Sequence, residues 1–204
     1  KLGDDETILD RILSLSPEER ARLIREMPRK YVQELDERWY TWAHDGQREP
    51  PGDWPVWLIR AGRGFGKTRA GAEWVSEVAR RMPGARIALV AANEGDGMRV
   101  MVEGPSGLIA VARADENPKW RYRLRELHFD SGAIATLYSA AAPENLRGPE
   151  HHAAWCDELA KWPKGEAAWD NLILGLRLGD APRVLVTTTP RPTALRRRIM
   201  ALPG

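Results

Sequence analysis

The chain has 204 residues, 43% of them hydrophobic and 29% charged, enough for one domain with a substantial core and a small attached subdomain. A net charge of +2 excludes a global polycation, so any nucleic-acid contact must come from local patches. A single cysteine, Cys156, excludes an internal disulfide and a cysteine-based zinc cluster, and the sequence carries no membrane-length apolar run or signal-peptide pattern.

Residues 1 to about 45 are expected to be helical. Ser16-Pro17-Glu18-Glu19 is a start signal: Ser as N-cap, Pro at the first helical position and Glu closing a capping box. A second helix is expected over about 30–43, and the Gly- and Pro-rich stretch from Asp45 to Asp53 marks a loop. This divides the chain into a helical subdomain, 1–52, and a core, 53–204.

From about residue 55 strands alternate with helices. Val56-Trp57-Leu58-Ile59 and Arg86–Ala92 are apolar runs suited to strands covered on both faces. A helix is expected from Glu94 to about Ala112, interrupted near Gly104–Gly107. Further strands are expected at Ala133–Tyr138, Ala153–Cys156 and Arg183–Thr188. A helix from about 165 should place Trp169, Leu172, Ile173 and Leu176 on one stripe, and Pro192 opens a basic helix. This alternation argues for an α/β fold with a mainly parallel sheet and helices on both faces.

The segment Arg60-Ala61-Gly62-Arg63-Gly64-Phe65-Gly66-Lys67-Thr68 lies between a strand and a run with apolar positions at helical spacing, Gly71, Trp74, Val75 and Val78. Strand, glycine loop, Gly-Lys-Thr and helix together form a phosphate cradle. The glycines let backbone N–H groups approach phosphate oxygens, and the helix start adds unpaired donors. Lys67 can reach the β/γ-phosphates, and the Thr68 hydroxyl can ligate Mg²⁺. Ala61 stands where such loops usually carry Gly; it is tolerated where φ is negative.

Asp157-Glu158 follows a short strand. At the carboxyl end of a parallel strand, an Asp can hold Mg²⁺ through its water shell, and a Glu can orient the attacking water. Thr187-Thr188-Thr189-Pro190 ends the last strand. Hydroxyls there can sense a γ-phosphate, although Thr favours strands in any case.

In order and wording, these three pieces resemble the ATPase domain of the large terminase subunit of tailed bacteriophages and phage-like gene transfer agents. Residues 60–74 resemble its modified phosphate loop, Glu144–Gly148 with Trp155–Trp162 its acidic motif and approach, and Thr187–Pro190 its coupling motif. The resemblance spans about 38–195 and implies a P-loop NTPase of ASCE type, with an extra strand between the phosphate-loop strand and the acidic strand. It implies an ATPase that uses ATP and Mg²⁺ to drive double-stranded DNA into a procapsid. The implied partners are the portal protein, the small terminase subunit and further copies of the chain in a ring, expected as a pentamer. The implied place is the host cytoplasm, with no membrane. A C-terminal nuclease domain of this family is expected to lie outside this chain.

Residue by residue, the resemblance assigns nucleotide binding to Ala61, Gly62, Arg63, Gly64, Phe65, Gly66, Lys67, Thr68 and Arg69, with Gln47 loosely matching an adenine-reading glutamine. Trp39 and Trp42 are further candidates for the base. It assigns metal binding to Thr68 and Asp157, catalysis to Glu158, Lys67, Arg63 and Arg147, and coupling to Thr187, Thr188 and Thr189. Arg147 corresponds to a finger acting on the adjacent subunit. Arg121, Arg123 and Arg125 alternate with Trp120, Tyr122 and Leu124 and could form a basic strand face, and Arg191, Arg196, Arg197 and Arg198 form a second basic cluster. Two alternatives stay open: another nucleic-acid-dependent P-loop ATPase of helicase type, and a nucleotide-binding assembly module with little intrinsic turnover.

Overall fold

A computed structural model describes residues 12, 14–28, 39 and 43–201. The chain divides into two compact units, 1–48 and 49–204. In the first, helix α1 (Pro17–Glu26) begins with the expected capping box: Ser16 Oγ accepts from Glu19 N at 3.3 Å, and Ser16 N donates to the Glu19 carboxylate at 3.0 Å. Most of the second expected helix, with Trp42, lies outside the described residues.

The second unit is built on one seven-stranded sheet of order β1-β7-β6-β2-β5-β4-β3. Its strands are β1 (Val56–Arg60), β2 (Arg86–Ala91), β3 (Lys119–Arg121), β4 (Glu126–His128), β5 (Ile134–Ser139), β6 (Ala153–Asp157) and β7 (Arg183–Thr188). The five strands from β1 to β5 in space run parallel, and β4 and β3 add an antiparallel hairpin. Strand β7 lies between β1 and β6, the extra strand expected of an ASCE sheet.

Helix α2 (Lys67–Arg81) follows β1 and lies over β6 and β7. It buries Gly71, Trp74 and Val75. Gly71 meets the indole of Trp155, while Cys156, the next residue on β6, belongs to a core formed with helices α4 (Gly165–Gly175) and α5 (Ala194–Met200). Successive strand residues point to opposite faces, so helices cover both sides of the sheet. The α4–α5 side packs Trp169, Leu172, Leu195 and Ile199 against Val90, Ala154, Val184 and Val186. Ile173, expected on the same stripe, is instead 41% exposed.

Two expectations need correction. The helix from Glu94 is only α3 (Glu94–Gly97), continued by a π-turn at Met98–Val102 and then by turns. Gly104 and Gly107 sit against the carbonyls of that turn: a Cβ on Gly104 would lie 2.7 Å from Arg99 O. Arg121, Arg123 and Arg125 do not form a strand face. Arg121 ends β3, while Arg123 and Arg125 belong to the hairpin turn, where Arg125 takes a left-handed φ of 57° and its side chain pairs with Glu94 at 2.9 Å.

Candidate active site

The loop between β1 and α2 is shaped by its glycines. Gly64 and Gly66 adopt φ of 80° and 84°, conformations costly for any residue with a Cβ. Ala61 does not have a positive φ, which is why Ala suffices there. Its N–H donates to Thr188 O at 3.2 Å, so the β1–β7 ladder continues into the loop.

Lys67, the first residue of α2, is 8% exposed and donates to Ala61 O at 2.9 Å and Gly62 O at 2.8 Å. An ammonium carries three donors, so one remains for an anion. Its Nζ lies 4.0 Å from Glu158 Oε1. Thr68, the next residue, is half-buried. Arg63 is exposed and makes no ion pair among the described residues, and Phe65 is half-buried. Arg69 turns to its own helix and pairs with buried Glu73 at 2.6 Å.

The acidic residues sit at the carboxyl end of β6, two strands from β1. Asp157 is 8% exposed. Burial raises its carboxyl to about 6, and the neighbouring Glu158 charge adds to this against the hydrogen bond from Thr187 and the charges of Lys161 and Lys67. Glu158 adopts a left-handed backbone, φ 45° and ψ 45°, unusual for a residue with a Cβ. Its carboxylate accepts from Thr189 Oγ1 at 3.0 Å and lies 3.8 Å from Lys161 Nζ.

Thr187, Thr188 and Thr189 each reach the acidic segment. The Thr187 hydroxyl donates to Asp157 Oδ1 at 2.7 Å and accepts from the Trp155 indole N–H at 2.9 Å. Thr188 Oγ1 accepts from Ala160 N at 3.1 Å. Neither the role of Trp155 nor that of Lys161 could be read from spacing, because both contacts are made only when β6, β7 and the turn after β6 meet.

Among the described residues no group of three or more His, Cys, Asp or Glu side chains could hold a metal. A site with one carboxylate and one hydroxyl suits Mg²⁺, which keeps several waters and takes its other ligands from phosphates. Asp157, with one oxygen held by Thr187, and Thr68, beside Lys67, fit that ion.

Among the described residues Arg147 makes no hydrogen bond or ion pair to this cluster. Arg147 is exposed and its guanidinium donates to Asn171 of α4 at 3.3 Å. Gln47, in a 3₁₀ turn at Asp45–Gln47, is buried within the first unit, where its side-chain oxygen accepts from His44 N at 3.3 Å.

Glycine loop, loop lysine, inserted strand and paired acids at one end of the sheet define a P-loop domain of ASCE type. The chain belongs to the family described as terminase large subunit, T4likevirus-type, N-terminal, which matches residues 58–201. No curated protein sequence matches it. Among solved structures, the fold is similar to the large terminase of thermophilic bacteriophage D6E in complex with ADP (15% identity, TM-score 0.57), covering 76% of this chain and 37% of that one. It is also similar to the large terminase ATPase domain of Thermus phage P74-26 (18%, TM-score 0.54, 89% and 72% covered). The bacteriophage Phi-29 genome packaging motor assembly matches at 13% and TM-score 0.53, over 74% of this chain and 48% of that one. The chain thus spans little more than a third of the D6E protein.

Proposed function

We propose that this chain hydrolyses ATP to move double-stranded DNA into a procapsid, as the motor domain of a large terminase subunit. In this reading it works in the host cytoplasm within a ring of copies, a pentamer, at the portal protein, with the small terminase subunit as a further partner. The observation that carries the reading is the convergence of Lys67 Nζ on Glu158, 4.0 Å apart, with Asp157 adjacent and the glycine loop beneath.

The phosphates rest on the loop N–H groups and the start of α2. Lys67 offers its remaining N–H to the β/γ-oxygens. Glu158, fixed by Thr189 and Lys161, orients the attacking water and accepts its proton. Asp157 and Thr68 would hold Mg²⁺, which when bound would supply charge neutralisation for the phosphates. Complexes of the D6E protein with ADP and ATP-γ-S support the choice of nucleotide.

Arg147 precedes β6 and bonds to α4, whereas the loop and the acids occupy the carboxyl ends of the strands. This favours a finger that serves a neighbouring copy. Hydrolysis per subunit is then low in dilute protein and rises steeply with concentration, and Arg147→Ala flattens that rise. Equal slopes would remove the finger. Glu158→Gln should keep binding of a fluorescent ATP analogue and lower turnover by about 10²- to 10⁴-fold; unchanged turnover would place water activation elsewhere.

A further inference from the structure

Trp155 is fully buried in the middle of β6, and two observations separate it from ordinary core aromatics. Its ring rests on α2 at Gly71, three residues beyond Thr68. A Cβ built there would lie 2.1 Å from Trp155 Cε2, so only glycine allows the approach. Its indole N–H, a donor only, is used on Thr187 Oγ1 at 2.9 Å.

That bond governs where the Thr187 proton goes. A hydroxyl has one hydrogen and two acceptor positions. The indole takes an acceptor position, so the hydrogen turns to one of two oxygens, Asp157 Oδ1 at 2.7 Å or Cys156 O at 3.3 Å. The shorter bond, to a carboxylate, is the stronger. Oδ1 is thereby engaged, and Oδ2 is left for the metal shell.

We propose that Trp155 is a positioning residue: its indole N–H directs the Thr187 hydroxyl onto Asp157 while its ring is seated on the phosphate-loop helix. Helix α2, the β6 carboxylate and the first coupling threonine then share one geometry through a single side chain. A shift of α2 moves the indole, the indole moves Thr187, and Thr187 turns the carboxylate. This relay deepens the proposed ATPase reading and rests on it.

The test is the Mg²⁺ concentration needed for half-maximal binding of mant-ATP by the full chain. Trp155→Phe keeps a ring and removes the N–H. It should raise that concentration by about 10-fold, within the range for losing a partner behind a metal ligand, and leave Mg²⁺-free nucleotide binding unchanged. Thr187→Val should do the same, Thr187→Ser should restore the parent value, and the Phe/Val double variant should be no worse than the larger single loss. A folded Trp155→Phe with a parent-like Mg²⁺ requirement overturns the relay, as do additive losses in the double variant.

If Trp155→Phe does not fold, the ¹⁵N-labelled parent decides. The Trp155 indole cross-peak should move when Mg²⁺ is added with a slowly hydrolysed ATP analogue, and should already be displaced in Thr187→Val. A peak indifferent to both overturns the relay. Lack of Mg²⁺-dependent mant-ATP binding in the parent, or its survival in Lys67→Ala, overturns the ATPase reading itself and the relay with it.

Discussion

The two ends of the sheet treat polar groups in opposite ways. At the β1-β7-β6 end, Lys67, Asp157, Thr187 and Thr188 are all buried, and each has a hydrogen-bond partner. At the β5-β4-β3 end, the hairpin turn leaves Tyr122 63% and Leu124 58% exposed, and Arg121 and Arg123 lie in solvent. Each end holds one non-glycine residue in the left-handed region, Glu158 and Arg125. Arg125 sits there because a hairpin turn of this kind asks for it. No hairpin surrounds Glu158; the side chains of Thr189, Lys161 and Lys67 surround its carboxylate. Buried polarity is kept where its groups satisfy one another, and strain is kept where it aims a carboxylate.

The sharpest test of this contrast pairs Lys67→Ala with Arg123→Ala. The first should cost about 10²- to 10³-fold in ATP turnover, as loss of an electrostatic donor does. The second should leave turnover without DNA unchanged. Equal losses in a steady-state assay would show that the two ends are not separate in function.

Next in size is the cost of burying Asp157. Its carboxyl rises from 3.8 to about 6 on folding, so the folded state binds the proton more tightly. The burden is absent below pH 3.8, grows through pH 4–6 and is complete above that. Asp157→Asn should stabilise the chain at pH 7.5 by roughly 3 kcal/mol, and by nothing at pH 3.5. Outside the site, His151 runs the other way. Burial lowers it from 6.5 to about 4, so its contribution is full above pH 6.5 and is lost as pH falls toward 4. Denaturant midpoints of Asp157→Asn should therefore fall on acidification through that window.

The smallest effects on stability come from the two left-handed residues. Arg125→Gly and Glu158→Gly should each relieve about 1 kcal/mol of backbone strain. Melting temperatures should rise in both, while only Glu158→Gly abolishes hydrolysis. A fall in both would mean that the lost side-chain contacts outweigh the strain.

Much of the parallel sheet was legible because its strands are unbroken apolar runs flanked by turn residues: Arg183–Thr188 was read to the residue. The phosphate loop and Asp157-Glu158 were legible as short patterns whose residue types have few other uses together. The Met98–Val102 turn was not, because Met, Val, Met and Val have the apolar content of a helix and nothing local marks an extra residue per turn. The Arg121–Arg125 alternation imitated a strand through a hairpin turn. Trp155 reads from the sequence as a residue of a short strand and of the acidic motif, with no contact of its own, because its partners, Gly71 and Thr187, lie far away in the chain.

Strand β1 is outermost, and among the described residues its only sheet partner is β7. An outer strand is a template for backbone pairing between molecules, and like-with-like pairing along it would be two-fold, closing at two copies. A ring requires head-to-tail contacts that repeat. Pro55 just before the strand, the charge of Arg60 at its end and a length of five residues all discourage the two-fold option. In the proposed ring, the brief, blunted border of the strand that carries the phosphate loop would leave such sterile pairs little to gain.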